Sequence, residues 1–338
     1  MKAIRLAVIG AGTFGRHHVR AIRQLREADL VAIVDIDLDK AQQLANEYES
    51  RAFRTAEEGS SQIDAAILAT PTVTHEEIAT KLLQAGVDVL IEKPIADSSA
   101  AGERLAYLAE QRGRILQVGH LERFNPAIVA VEQVLTTPLF FEVHRLSTFT
   151  PRSLDIDVVL DLMIHDLDIV LSFTQEMPQE IRAAGISVLS PRVDIANVRL
   201  LFASGCVANL TASRISTEKI RKLRLFQPGE YISLDYQRQD AIRVAICKNE
   251  PNPAQGEFVW QNAPVSEFVP QFDFDHLPVK HGEPLQLELA AFFTAVRDRS
   301  HPRVDGSQAA NTLRVAEAII AKINEHAHLV AETLHRSR

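Results

Sequence analysis

Residues 4–15 read Ile4-Arg5-Leu6-Ala7-Val8-Ile9-Gly10-Ala11-Gly12-Thr13-Phe14-Gly15, a short apolar run that passes without a break into G-x-G-x-x-G. Alone, that glycine pattern is a weak signal. Its context makes it specific: it follows a β-rich run, opens a helical stretch, and is followed by Asp35 at the end of the next β-rich run. Gly10 permits the tight turn, Gly12 lets backbone approach a pyrophosphate, and Gly15 allows a helix to pack closely on a strand. The helix that begins at Thr13 and Phe14 offers free N–H groups and the positive end of its dipole to phosphates. A carboxylate at Asp35 accepts from a ribose 2′-OH and repels a 2′-phosphate. Asp37 and Asp39 add negative charge, opposed only by Lys40. The cofactor expected is therefore NAD rather than NADP.

Outward from this stretch, apolar β-rich runs at 4–10, 30–35, 65–70, 87–93 and 115–120 alternate with helical patterns at 15–26, 38–48, 75–85 and 99–111. Near-continuous apolar strands alternating with helices predict a parallel sheet covered on both faces, and right-handed crossovers make it doubly wound. From about residue 121 the rhythm changes. Helices are expected at 126–135 and 156–173, and strands at 139–148, 180–188, 193–203, 206–215, 220–226, 230–236 and 241–247. Successive strands joined by turn signals predict a largely antiparallel sheet. Residues 250–284 read as a long irregular loop, and helices at 285–299 and 307–328 close the chain. The fold class is thus α/β: a Rossmann domain over 1–120 for NAD, then an α/β domain over 121–338 for substrate and oligomerisation.

Bulk properties narrow the function. A net charge of −8 over 338 residues argues against a general nucleic-acid binder. Cys206 and Cys247 fit neither a disulfide framework nor a zinc spacing, which suits a reducing cytoplasm, and no metal is expected. No apolar run is long enough for a membrane span.

Candidate chemistry lies at the ends of strands. Thr70 and Pro71 end the third apolar run, where loops meet ligand, and His75 opens the following helix; cofactor contact and a plain helix-surface role both fit His75. Glu92-Lys93-Pro94 ends the fourth run. Lys93 there stands at the crevice, where a partly buried lysine trades protons with an alcohol. In 156–173 the residues Asp157, Asp161, His165 and Asp168 form one polar stripe on an otherwise apolar helix. Asp161 and His165, one turn apart, suit a carboxylate that orients an imidazole. His120, Arg123 and Asn125 follow the fifth run and are candidate substrate contacts; Asn125 before Pro126 equally suits a helix cap. Arg214, Lys219, Arg221, Lys222 and Arg224, against Glu218, form a basic run that fits a diphosphate or a subunit interface.

In this order and at these separations, Gly10–Gly15, Glu92-Lys93-Pro94 and Asp161-x-x-x-His165 resemble the glucose–fructose oxidoreductase / inositol dehydrogenase / rhizopine-catabolism (Gfo/Idh/MocA) family, over essentially the whole chain. The resemblance implies a Rossmann domain plus an α/β domain with a large, open, mainly antiparallel sheet. It also implies that Lys93, Asp161 and His165 contact the reacting alcohol. Gly119–Ala127, Asp157–Leu171 and Ser213–Ser216 further resemble the nucleotide-sugar 3-dehydrogenases of that family. What that branch implies is NAD-dependent oxidation of the 3-hydroxyl of UDP-N-acetylglucosamine, with an aminotransferase downstream in synthesis of the lipid A 3-amino sugar. A UDP-sugar uronate, an inositol or a simple sugar stays open as substrate, and so does a non-catalytic dinucleotide sensor. An open sheet leaves a large apolar face that needs covering, so a dimer or tetramer through the C-terminal sheet is expected.

Overall fold

A computed structural model describes residues 3–60, 62–150, 156–246 and 272–336. The chain divides into two compact units: residues 1–124 with 282–317, and residues 125–281 with 318–338.

The first unit carries six strands, β1 (Ile4–Ile9), β2 (Ala28–Val34), β3 (Arg51–Phe53), β4 (Ala65–Leu68), β5 (Asp88–Glu92) and β6 (Leu116–Gly119), ordered β3-β2-β1-β4-β5-β6 and all parallel. The order reverses between β1 and β4, and loops at the carboxyl ends of strands flanking such a point form a ligand crevice. β4, Ala-Ala-Ile-Leu, is buried at every position, as covering of both faces demands. The helices are α1 (Thr13–Ile22), α2 (Leu38–Glu47), α3 (Ala56–Ser60), α4 (His75–Gln84) and α5 (Ser99–Gln111). α8 (Pro284–Asp298) also belongs here: Leu289, Phe292, Phe293 and Val296 join the same apolar core as Val8, Val19, Ile33 and Ile67. β3 and α3 are elements the sequence reading did not contain.

The second unit carries α6 (Pro126–Glu132), β7 (Phe140–Thr148), α7 (Ile164–Thr174) and β8 to β14: Glu180–Ile186, Ile195–Leu201, Val207–Ser216, Ile220–Gln227, Glu230–Asp235, Asp240–Ile246 and Phe272–His276. Their order is β14-β13-β12-β11-β7-β10-β9-β8. Only β7 and β10 pair in parallel; the other neighbours are antiparallel. In β11 burial alternates from Leu223 to Gln227, the mark of one covered face. Within the stretch read as loop, Phe272–His276 is an edge strand paired with β13. Its Phe-Asp-Phe-Asp alternation is a period-two signal that the surrounding Pro, Gln and Asn obscure. Cys247 and residues 250–271 of that loop lie outside the described residues. The last helix, α9 (Gly306–Arg336), starts in the first unit and continues in the second.

Candidate active site

The glycine loop shows why its residues are glycines. Gly10 has φ +104°, and a side chain on it would run into the Ala69 carbonyl. Beside Gly12 a Cβ would meet nothing within 4 Å, which leaves a clear approach to the backbone. α1 opens on Gly12 with no side-chain cap and no acidic residue in its first turn, so its leading N–H groups are left for an anion. Thr13 and Phe14 sit in that turn, with Phe14 61 % exposed. Asp35, just past β2, accepts the Ala11 N–H at 2.7 Å and the Asp37 N–H at 2.9 Å. Those bonds hold its carboxylate against the glycine loop. Clear cradle, uncapped helix and fixed carboxylate together fit a dinucleotide.

At the exits of β4 and β5, Thr70 and Pro71 lead into a short 3-10 turn, Thr72–Thr74, that delivers His75. His75 is buried at 1 % exposure. Its Nδ1 lies 3.0 Å from the Pro94 carbonyl oxygen and its Nε2 2.9 Å from that of Thr70. Burial holds its pKa below the usual histidine value, against the two carbonyls and Glu92, which favour the charged form. Glu92, ending β5, meets the buried His18 of α1 with Oε1 2.6 Å from Nε2. Burial pushes the Glu92 carboxyl up, but His18 and Lys93 together hold it below the ordinary range. Glu288 of α8 is buried, and its Oε1 has no hydrogen-bond partner among the described residues. Burial, then the charge of Glu92, raises its pKa well above that of an ordinary carboxyl, which favours its protonated form. Neither His18 nor Glu288 was singled out from sequence. Their link to Glu92 spans 74 residues in one case and comes from a distant helix in the other. His120 and Arg123 are buried in the turn after β6, where Arg123 donates to the Arg303 carbonyl and Arg303 returns a bond to that of Arg123.

In the second unit the polar-striped helix opens with a π turn, Val159–Met163, before α7, and the Ile164 N–H reaches back to the Val159 carbonyl. Asp161 sits inside this turn and His165 just beyond it. A π turn rephases the side chains that follow it and is frequent at functional sites. Asp157 precedes it and accepts the Val193 N–H at 3.1 Å; Asp161 and His165 are half-buried and Asp168 is buried. Asp166, beside His165, is buried against Arg145 of β7 in a bidentate pair of 2.6 and 2.9 Å. The Arg145 guanidinium also lies 5.1 Å from the Tyr236 ring centroid. Sequence periodicity does not reveal this pair, because an apolar pattern says nothing of a lone buried charge. Asn125 caps α6, accepting the Ala127 N–H at 3.1 Å, and donates to the Tyr236 carbonyl at 3.0 Å.

The basic run divides. Arg214 is buried, bonded to the Ile156 carbonyl and 3.9 Å from Asp194. Lys222 and Arg224 point to the exposed face, where Arg224 pairs with Glu142 at 3.0 Å. Burial, and then the charge of Glu176, pushes the Cys206 thiol up to about 11, so it is no nucleophile at neutral pH. Among the described residues no group of three or more His, Cys, Asp or Glu is arranged to hold a metal, and no helix is long and apolar enough to cross a membrane.

Fold and first-unit geometry define a Rossmann-type oxidoreductase. Residues 4–120 match the oxidoreductase family described as an NAD-binding Rossmann fold, and residues 132–226 match the Gfo/Idh/MocA C-terminal domain. The chain belongs to the Gfo/Idh/MocA family of dehydrogenases, and its cofactor is NAD. It is 38 % identical over 234 residues to a UDP-N-acetylglucosamine 3-dehydrogenase of Acidithiobacillus ferrooxidans, covering 69 % of this chain and 74 % of that one. A solved structure of an enzyme of that name from the same organism superposes with a TM-score of 0.86 at 30 % identity, over 96 % of this chain and 99 % of that one. An inositol 2-dehydrogenase of Rhizobium meliloti is 24 % identical over 341 residues, 95 % of this chain and 97 % of that one.

Proposed function

We propose that the protein oxidises the 3-hydroxyl of UDP-N-acetylglucosamine with NAD+, giving the 3-keto sugar and NADH. The observation that carries this reading is the 38 % identity to a dehydrogenase named for that reaction. The assignment of Lys93, Asp161 and His165 to one hydroxyl rests on the order of the motifs. His165 removes the hydroxyl proton, with Asp161 orienting the imidazole and stabilising its charged form. Lys93 donates a hydrogen bond to the same oxygen as negative charge grows on it. NAD+ bound at the glycine loop would supply the hydride acceptor for the carbinol carbon. Gly10, Gly12, Thr13, Phe14, Gly15, Asp35, Thr70 and Pro71 would hold the cofactor, with Glu92 at the nicotinamide end and His120 and Arg123 toward the sugar. We assign the boundary between the cofactor and substrate halves to the end of β6.

A 3-keto sugar is reactive, and an aminotransferase that converts it to a 3-amino sugar for lipid A is its expected consumer. NAD chemistry and two cysteines outside any disulfide framework suit the cytoplasm. An NADH absorbance assay over UDP-hexosamines, UDP-uronates, inositols and free sugars tests the reading. Turnover with UDP-N-acetylglucosamine and, after coupling to an aminotransferase, an amino group at C3 are expected. An amino group at C4, or no NADH with any UDP-hexosamine, overturns it. The near full-length relation to an inositol dehydrogenase favours a cyclic polyol as second reading, and the inositols in the panel decide it.

A further inference from the structure

His75 stands between two loops that the chemistry needs. Thr70 and Pro71 leave β4; Lys93 and Pro94 leave the neighbouring strand β5. The imidazole bridges them, Nε2 to the Thr70 carbonyl at 2.9 Å and Nδ1 to the Pro94 carbonyl at 3.0 Å. The Thr74 hydroxyl sits 2.8 Å from that of Thr70 and 2.7 Å from the Pro71 carbonyl, which ties the first loop to the turn that delivers His75. A ring buried at 1 % with both nitrogens on backbone carbonyls is not placed to contact a cofactor itself. We propose that His75 is a positioning residue, a clasp that fixes the loop of Lys93 against the loop of Thr70.

The clasp has a proton dependence built in. Carbonyl oxygens only accept, and a neutral imidazole has one N–H, so the neutral ring closes one side at a time; the imidazolium closes both. Glu92 at the end of β5 favours the imidazolium, as do both carbonyls. Glu92 is itself faced by His18 from α1, by Lys93 and by Glu288 from α8. On α4, Glu76 is paired with Arg104 of α5 at 2.7 Å and Glu77 with Lys81 at 2.9 Å, while Lys81 also meets Glu57 of α3 at 2.8 Å. Burial outweighs these influences, and the charged form gains as pH falls.

Two variants separate the two sides, because an Asn amide nitrogen stands near the place of Nδ1 and a Gln amide nitrogen near that of Nε2. His75→Asn keeps the bond to Pro94; His75→Gln keeps the bond to Thr70. The proposal rests on reading Lys93 as acting at the hydroxyl, so one readout is independent of substrate. Backbone amide exchange should quicken at Lys93, Ile95 and Ala96 in His75→Gln and at Ala69, Thr70 and Thr72 in His75→Asn. With any alcohol that the wild type turns over, His75→Gln should lose about one to two powers of ten in kcat, the scale of a small misplacement. Its KM for NAD+ should stay within about threefold, and His75→Asn should keep most of kcat. Exchange that changes alike in both variants, or kcat equal to wild type in both, overturns the clasp. Localised exchange in the absence of any substrate leaves the clasp standing and counts only against the substrate reading.

Discussion

At the scale of single residues, Lys93, Asp35 and Glu288 each give a reading that one substitution tests. Lys93→Ala should cut turnover by roughly 10²–10³-fold, the range for losing a donor to a developing oxyanion, with NADH affinity by fluorescence little changed. A loss under tenfold would assign Lys93 to the cofactor side or to structure. Asp35 already accepts the Ala11 N–H and the Asp37 N–H, which aims its carboxylate rather than consuming it. Asp35→Ala should therefore narrow the gap in KM between NAD and NADP; an unchanged ratio would mean that Asp37 reads the ribose. Glu288 is a carboxyl whose folded pKa is raised by burial and by Glu92. The folded state then holds a proton that the unfolded chain gives up at ordinary carboxyl pKa. Its stabilising share is fully present below that unfolded value and is lost as pH rises toward the folded value, at up to about 1.4 kcal/mol per pH unit. Glu288→Gln keeps the shape and removes that slope. Melting temperatures from pH 5 to 8 should diverge in favour of the variant as pH rises, and parallel curves would sink the assignment of a retained proton.

The elements show how far sequence reaches. The glycine loop, the five long apolar runs and the Glu92-Lys93-Pro94 exit were legible because a parallel strand buried on both faces is a continuous apolar word, and a glycine fingerprint has one backbone solution. β3 was not, since Arg-Ala-Phe over three residues carries no period. The π turn at Val159–Met163 was not, because a helical stripe counted at four-residue steps assumes regular winding. The clustering of His18, Glu92 and Glu288 was not, because it is made by tertiary packing of α1, β5 and α8. The Arg145–Asp166 pair has the clearest consequence at this scale. It pins α7 to β7 one residue from His165, with both partners nearly without solvent contact. Arg145→Ala removes the bidentate partner of a buried carboxylate, and breaking a buried pair from one side costs about 3–5 kcal/mol. Urea unfolding should show that loss, and kcat should fall with it as His165 loses its seat. A loss under about 1 kcal/mol would mean that Asp166 takes up a proton or another partner at little cost.

For the molecule as a whole, the exposed face of the second sheet is the surface on which self-association can be tested. Cross-strand register lines up Phe274, Val244, Tyr231, Phe226, Phe140, Val207 and Leu201 in one row across seven strands. From β12 to β9 the burial of these residues alternates with that of the covered positions, which puts that part of the row on the open face; at the edge of the sheet β14 is exposed throughout, with Phe274 at 72 %. The rings of Phe226 and Tyr231 lie 4.9 Å apart and those of Phe226 and Phe140 5.8 Å apart, so the middle of the row is a ready-made aromatic ridge. The next row holds Arg224 paired with Glu142, then Asn209, Arg199 and Arg182, and supplies a polar border. A continuous apolar strip with a polar margin marks an association surface, and two copies of one sheet meet there most simply about a two-fold axis. We propose a dimer through this face, or a tetramer that contains it. A charge at the centre of the row would be buried without a partner on each side of such an axis and would face its own copy. Phe226→Glu should therefore give a species of one-chain mass by light scattering with the far-UV circular dichroism kept. A wild type that already runs as one chain, or a variant whose mass is unchanged, would place the oligomer on another surface.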